Sequence, residues 1–497
     1  MSAGKRSHGC PSFFKPPEPP TKTRRALLRD GACGFGYLSL AALLGGEVVG
    51  STSAAAAGAT DPRATNPLAA IPPHFEPRAK NVIFLFMHGG PSSIDTFDPK
   101  PRLDRDHGKP LPIPRPLAFA DEDAGPLMKS PWTFRPGGES GLPVSDLFPH
   151  VRDQADKLCV IRSVVGEGVD HGAALLQTFT GTSTFTRPSL GAWTLYGLGT
   201  ENENLPGFVT IKPTLSHGGA KAWASAFLPG AYQGTAIGHA GLKVGDVSAE
   251  PIEYLQNTQL SPELQRYELE MLRNVNARHA ELRKHDPQLE ARIQSFELAS
   301  RMQLEAPEAF EVEKESPETR KLYGLDDPKT ADFAWQCILA RRLVARGVRF
   351  VQCTHSYKWD QHEDLYTLHT QNAAEVDRPI GALLHDLDAH GLLDDTLVVW
   401  AGEFGRTPVS EGGDGRDHNP YGYSIWMAGG GVKGGFAYGA TDEFGYHAVE
   451  NRMHLHDVHA TLLHLLGLDH EKLTYRFSGR DFRLTDVAGV VHRDILA

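Results

Sequence analysis

Seven consecutive residues, Asn81-Val82-Ile83-Phe84-Leu85-Phe86-Met87, carry no charge and end on the turn His88-Gly89-Gly90-Pro91. A run so short and so continuously apolar does not alternate between wet and dry faces, so it reads as a strand buried on both sides. Such a strand needs helices on both faces, which places the chain in the α/β class. The downstream pattern agrees. A helix over Thr330–Arg346 turns at Gly347 into a strand at Val348–Cys353, and a helix over Asn372–His390 turns at Gly391 into a strand at Thr396–Ala401. Further strands are expected at Leu158–Arg162, Phe208–Ile211 and Ser424–Met427, and a further helix at His454–Leu466. Alternating helix and strand with short glycine turns predicts a mainly parallel sheet in one large domain over 81–497.

Two stretches interrupt that pattern. Residues 99–146 are rich in proline and glycine and predict long loops. Between 262 and 307, Leu264, Tyr267, Met271, Val275 and Leu282 recur at helical spacing, as do Leu289, Ile293, Phe296 and Met302 after Pro287. They predict a helical insertion of two amphipathic helices whose apolar faces pack on the core, a lid or a dimer contact being the alternatives.

The N-terminus reads as an address. Thr23-Arg24-Arg25-Ala26-Leu27-Leu28-Arg29 precedes an apolar, glycine-rich run from Gly31 to Gly46, and Ala54-Ala55-Ala56-Ala57 offers small residues for cleavage. This is the pattern of a twin-arginine export signal over 1–57, followed by a Pro-rich linker over 58–80. The run is too short and glycine-rich to span a membrane, so no stable membrane span is expected after processing. Loss of the leader takes the formal charge from −11 to −15. That balance disfavours nucleic acid and anionic membrane as partners and leaves the export machinery and a small or polymer-borne substrate. Cys159, Cys337 and Cys353 remain, an odd number that suggests no disulfide framework.

Histidine marks where chemistry would sit: twelve of the 23 fall between His355 and His470. In open α/β sheets ligands bind beyond the carboxyl ends of the strands. There lie His88, Ser92, Asp95 and Asp98 after the first strand, His355, Asp360 and His362 after Val348–Cys353, and Glu403 and Arg406 after Thr396–Ala401. The loop before Ser424 adds Arg416-Asp417-His418-Asn419. Mixed imidazole and carboxylate suits zinc, manganese or iron better than calcium. Asp98 before Pro99 reads equally well as a turn cap and His355 as a satisfied buried imidazole, while His454, His456, His459 and His464 read as structural.

Phe86-Met87-His88-Gly89-Gly90-Pro91-Ser92, Trp359-Asp360-Gln361-His362, Glu403-Phe404-Gly405-Arg406-Thr407-Pro408 and Gly415-Arg416-Asp417-His418-Asn419-Pro420 resemble, in order and wording, the bacterial family called domain of unknown function 1501. The resemblance covers about 78–497 and continues through Gly429-Gly430-Gly431-Val432-Lys433-Gly434-Gly435 and Gly439-Ala440-Thr441-Asp442. It implies a branch of the alkaline phosphatase and sulfatase superfamily, with a three-layer α/β/α core, metals at strand ends and hydrolase ancestry. Carried across, it makes Asp360 and His362 a ligand pair, His418 the late histidine ligand, Glu403 a retained carboxylate and His88 the ligand at the end of the first strand. Phe404 stands where a second ligand is usual. Where a sulfatase has its nucleophile, this chain has Asp170-His171-Gly172, and no Cys-x-Pro-x-Arg or Ser-x-Pro-x-Arg pattern occurs. His171 is then an acid, nucleophile or ligand, and a metal-bound water, whose pKa falls to about 7, is the favoured attacker.

Other chemistries fail on their own requirements. His88-Gly89-Gly90 resembles a lipase oxyanion loop, yet the chain has no G-x-S-x-G elbow. Lys433 is followed by glycine rather than Ser or Thr, which excludes a phosphate-binding P-loop. The expectation is an exported metal-dependent hydrolase of a phosphate or sulfate ester, with zinc the first choice of ion. Asp360, His362, Glu403, His418 and His88 would hold the metal, His171 would be acid or nucleophile, and Arg406 or Arg416 would clamp the anion. An exported binding protein that keeps the fold without catalysis is the alternative.

Overall fold

The computed structural model describes residues 66–115, 124–251, 260–282 and 307–497, with single positions at 293, 298 and 301. The expected export signal, the start of the linker and nearly all of the second inserted helix lie outside these residues. Residues 61–497 form one compact unit.

A nine-stranded sheet organises that unit. In chain order its strands are β1 (Asn81–Met87), β2 (Leu158–Val165), β3 (Phe208–Ile211), β4 (Thr235–Ile237), β5 (Phe350–His355), β6 (Thr396–Ala401), β7 (Tyr423–Ala428), β8 (Phe436–Tyr438) and β9 (Met453–His454). Their spatial order is β8-β2-β7-β6-β1-β5-β3-β4, with β9 also on β2. The central strand is the apolar run, flanked in parallel register by β5 (Met87 opposite His355) and β6 (Phe86 opposite Ala401). All pairings in the sheet are parallel except those of β7, which runs antiparallel to both β2 and β6.

Alternate residues of β1 serve two cores. Ile83, Leu85 and Met87 pack with helices α4 (Ala331–Val344) and α5 (Leu365–Ala389) through Phe333, Leu339, Leu383 and Leu387. Val82, Phe84 and Phe86 pack on the other face with α1 (His171–Thr180), α2 (Leu190–Leu198) and α6 (Leu455–Leu465) through Leu175, Phe179, Trp193 and Leu462. This is the three-layer α/β/α arrangement, and it explains why β1 carries no charge and, past Asn81, no polar side chain: both faces are dry. The free, buried Cys159, Cys337 and Cys353 behave as small apolar core residues.

Three local expectations are corrected. The Pro- and Gly-rich stretch contains a hairpin, Phe134–Gly137 with Leu142–Ser145, and a short helix at Pro101–Asp106. Helix α5 starts seven residues earlier than its periodicity suggests and runs through Pro379. The insertion does begin with a helix, α3 (Pro262–Leu282), but Leu264, Tyr267, Met271 and Val275 are exposed, not packed on the core. Among the described residues no helix is long and apolar enough to cross a membrane.

Candidate metal centre

Six chain segments meet at the carboxyl edge of the sheet. The ends of β1, β5 and β6 bring His88, then Tyr357, Asp360 and His362, then Glu403 and Arg406. The loop before β7 brings Asp417 and His418 to the same edge, because an antiparallel strand enters the sheet where parallel ones leave it. The N-terminus of α1 adds His171, and the loop after β3 adds His217.

Glycine lets the loops close. Gly89 has φ +118°, and a Cβ on it would lie 2.6 Å from the Trp359 amide nitrogen and 2.7 Å from that of Asp360. Its own N–H donates to both Glu403 carboxylate oxygens, at 2.9 and 3.1 Å. The substitution Gly89→Ala is therefore expected to cost about 1–3 kcal/mol and to push the Trp359–Asp360 turn out of place. Tryptophan fluorescence and metal content after reconstitution would both shift, whereas unchanged values in both would show that the turn yields freely.

Asp360 is the centre of the cluster. Its Oδ1 lies 2.7 Å from Arg406 Nη2, 2.8 Å from His362 Nε2, and 3.2 Å from both His171 Nε2 and His418 Nε2. Its Oδ2 accepts from the Tyr357 hydroxyl at 2.8 Å. Burial opposes ionisation of this carboxylate, but the three imidazoles and Arg406 hold its pKa well below the usual range. His362 Nε2 and His418 Nε2 are themselves only 3.1 Å apart.

The outer nitrogens show which way the lone pairs point. His418 Nδ1 is 2.6 Å from the Val169 carbonyl, which can only accept, so Nδ1 carries the proton and Nε2 the lone pair. His171 Nδ1 faces Glu403 Oε1 at 2.7 Å, and His362 Nδ1 faces Glu411 Oε2 at 2.6 Å. Each imidazole is thus anchored behind by an oxygen acceptor and turned toward Asp360 in front, the arrangement by which an acceptor on the outer ring nitrogen orients a metal-binding histidine. His171 Nε2 is buried with no hydrogen-bond partner despite its closeness to Asp360. Imidazole nitrogens gathered around a carboxylate oxygen are the donor set that a divalent cation takes. Ligand atoms of a tetrahedral zinc shell at about 2.0–2.1 Å lie about 3.3 Å apart, close to the 3.2 Å that separates Asp360 Oδ1 from His171 Nε2 and from His418 Nε2.

The ligand-type atoms fall into three overlapping groups, each within 4.8 Å: His88, His171 and Glu403; His171, Asp360 and His418; His362, Asp417 and His418. Burial lowers the pKa of His88 and of His418 to about 4. Burial also pulls on His171 and His362, but the neighbouring carboxylates outweigh it and both are raised. Glu403, fully buried, is penalised by desolvation, yet His171 and His88 keep its pKa below the ordinary value.

Several expected residues have other occupations. His88 Nδ1 accepts the Tyr357 N–H at 3.3 Å, and its Nε2 lies 3.2 Å from His217 Nδ1, so neither nitrogen turns toward Asp360. Glu403 stands behind His171 rather than beside Asp360. Arg406 is buried and donates to the Gly90 carbonyl at 2.9 Å, to the carbonyls of Arg416 and Trp359 at 3.1 Å, to Gly89 and to Asp360. Arg416 is buried on Asp95, at 2.8 and 3.3 Å, and on the carbonyls of Thr407 and Met128. Neither guanidinium keeps a fork for an incoming anion, so the expected clamp is corrected for both: they hold the loops together.

His355 is the satisfied imidazole, accepting from Trp359 Nε1 at 2.9 Å and pairing with Glu375 at 2.9 Å. Asp98 takes Thr441 and Lys100. His456 and His459 donate to the carbonyls of Gly181 and Thr178, both at 2.7 Å, and so tie down the far end of α1. Asp417 joins His418 in the cluster as the loop before β7 predicted, and His217, Tyr357 and Glu411 belong to it without having been expected there. The position of His217 just past β3 was the available signal.

A profile of the family described as "Protein of unknown function (DUF1501)" matches residues 79–496. No curated protein matches the sequence. Among solved structures, the chain is similar to the lipoteichoic acid synthase LtaP from Listeria monocytogenes at 10% identity and TM-score 0.35, covering 85% of this chain and 79% of that one. It is similar to the PsFucS1 sulfatase from Pseudoalteromonas sp. at 12% identity and TM-score 0.36, covering 84% and 72%. The alkaline phosphatase from the Antarctic bacterium TAB5 matches at 11% identity and TM-score 0.30, covering 71% of this chain and 92% of that one.

Proposed function

We propose, for a chain that belongs to the DUF1501 family of proteins of unknown function, that it is an exported, metal-dependent hydrolase of phosphate or sulfate esters. Asp360, His171 and His418 would hold one divalent cation, zinc before manganese or iron, with His362 beside them in the overlapping group of His362, Asp417 and His418. The observation that carries this reading is the convergence of three imidazole Nε2 atoms, each anchored through Nδ1, on Asp360 Oδ1. Imidazole-rich shells with one carboxylate suit zinc, manganese or iron, whereas calcium asks for oxygen alone.

When bound, such an ion supplies Lewis acidity toward an ester oxygen and an activated water. The chain's own residues supply the rest. Arg406 fixes Asp360, Glu403 orients His171, Val169 and Glu411 orient His418 and His362, and Tyr357 occupies the second oxygen of Asp360. Phe404, 4.3 Å from His418 between ring centroids and 4.9 Å from His171, closes one wall with an apolar face. The groups bonded within the cluster include no aliphatic hydroxyl or thiol among the described residues, which supports attack by water over a covalent route. The same observation favours, as the second reading, a binding protein that keeps the site without turnover. Export rests on the leader pattern at 1–57.

The test starts with metal analysis by plasma mass spectrometry on protein purified without a chelating tag. It continues with p-nitrophenyl phosphate, bis-p-nitrophenyl phosphate and p-nitrophenyl sulfate as substrates. One equivalent of ion and turnover of at least one ester are expected. Because the pKa values of His171 and His362 are raised above 6.5, protons compete with the ion up to higher pH than for free imidazole. Loading should therefore be poor below about pH 6.5 and improve above it. A loaded protein inert to all three esters would favour the binding role, and no ion after reconstitution would remove the mechanism.

A further inference from the structure

His217 differs from every other imidazole of the cluster. It comes from the loop after β3, it is half buried as His362 is, and its backbone alone sits at positive φ, +52°, a left-handed conformation that costs a residue with a Cβ. Gly218 and Gly219 follow at φ +126° and +51°. Strain of this kind persists where the surroundings fix it, and it gathers at functional sites. Here it delivers the ring to the cluster: 5.3 Å from His88, 5.1 Å from His171 and 4.6 Å from Tyr357 between centroids.

The tautomers follow in series from one backbone amide. The Tyr357 N–H can only donate, so His88 Nδ1 accepts it at 3.3 Å and the proton of neutral His88 is on Nε2. That Nε2–H points at His217 Nδ1, 3.2 Å away, which therefore accepts. The proton of neutral His217 is then on Nε2, which has no hydrogen-bond partner among the described residues. The two arginines expected to meet an anion are spent on carbonyls and on Asp360 and Asp95, whereas the Nε2–H of His217 belongs to a ring beside the cluster and is taken up by no described residue.

We propose that His217 is a substrate-contacting residue: held by its strained loop, with its tautomer fixed through His88 by the Tyr357 amide, it presents Nε2–H to a non-bridging oxygen of the bound ester. The proton stays on the ring, and the contribution is a hydrogen bond in a partly desolvated site. This rests on the reading that an anionic ester binds at the Asp360 cluster.

The experiment compares wild type, His217→Ala and His217→Gly, each reconstituted with zinc. It measures metal content, calorimetric binding of inorganic phosphate, and thermal unfolding. Both variants are expected to keep the wild-type zinc equivalent and to bind phosphate about tenfold or more weakly, the size of one lost hydrogen bond to a charged group. His217→Gly should melt about 1–2 °C above His217→Ala, because glycine alone escapes the positive-φ cost. Unchanged phosphate affinity in both variants would overturn the proposal. So would loss of zinc in both, which would make His217 a ligand beside His88. A wild-type protein that takes up zinc yet binds no phosphate would overturn it together with the ester reading, whereas failure to take up zinc would remove the metal reading first.

Discussion

Replacing Asp360 by alanine is expected to leave less than about a tenth of the wild-type metal content after reconstitution, the consequence of an affinity loss of more than one tenfold step, about 1.4 kcal/mol. The side chain supplies the one oxygen toward which His171, His362 and His418 all turn, at 3.2, 2.8 and 3.2 Å. It also neutralises Arg406, whose guanidinium is buried at 0% side-chain exposure 2.7 Å away. Without the carboxylate, that positive charge faces the imidazoles uncompensated and repels any cation placed among them. Glu403→Ala should act differently. Glu403 holds His171 from behind and caps Gly89, so its loss should weaken metal binding by about 10–100-fold, the usual range for an orienting partner, without removing a ligand. His459→Ala, which breaks only the bond to the Thr178 carbonyl at the far end of α1, should leave metal content unchanged. Plasma mass spectrometry on the three variants separates the assignments. The reverse order, with Glu403→Ala devoid of metal and Asp360→Ala loaded, would move the ion to the group formed by His88, His171 and Glu403.

Strand ends were the legible part of this site. The apolar runs at Asn81–Met87, Phe208–Ile211 and Thr396–Ala401 are strands at the expected residues, and the polar groups beyond them do meet at one edge. His418 was identified by position before a strand, a position that would lie at the opposite edge had β7 been parallel. Its antiparallel pairing with β2 and β6 is what brings it in, and no local pattern in Tyr423–Ala428 reveals direction. Which nitrogen faces inward, and which carboxylate stands in front of an imidazole or behind it, depends on contacts between residues hundreds apart, such as His418 with Val169 and His171 with Glu403. Periodicity carries none of that. Periodicity also misplaced the apolar stripe of α3: helical spacing states that a face exists but not what covers it, and Tyr267 and Met271 are exposed at 72% and 70%. His217 escaped because β3 is four residues long and its following loop offers one histidine rather than a cluster.

Arg416 gives the clearest separation between a binding role and a structural one. Its side chain and that of Asp95 are both fully buried, and the pair is bidentate at 2.8 and 3.3 Å. Asp95 is completed by the Ser92 hydroxyl at 2.5 Å, and Arg416 by the Thr407 and Met128 carbonyls at 3.1 and 3.0 Å. Removing one partner leaves a buried carboxylate without its counter-charge and two carbonyls without donors. Arg416→Ala is therefore expected to lose about 3–5 kcal/mol of stability, read as a lower midpoint in urea unfolding. The folded fraction should keep its metal and its phosphate affinity, since no side-chain atom of Arg416 is bonded to the imidazole cluster and its backbone bonds to Arg406 and Gln361 survive the substitution. A double replacement, Asp95→Leu with Arg416→Met, should recover much of the loss, because an apolar pair of similar volume carries no desolvation cost. A clamp would behave in the opposite way: Arg416→Ala would unfold like wild type and lose phosphate binding, and the double variant would recover nothing. Since Arg416 spans from Thr407 to Asp95 directly behind the loop that carries His418, the same measurement reports whether that loop is held by its own buried charges before any ion arrives.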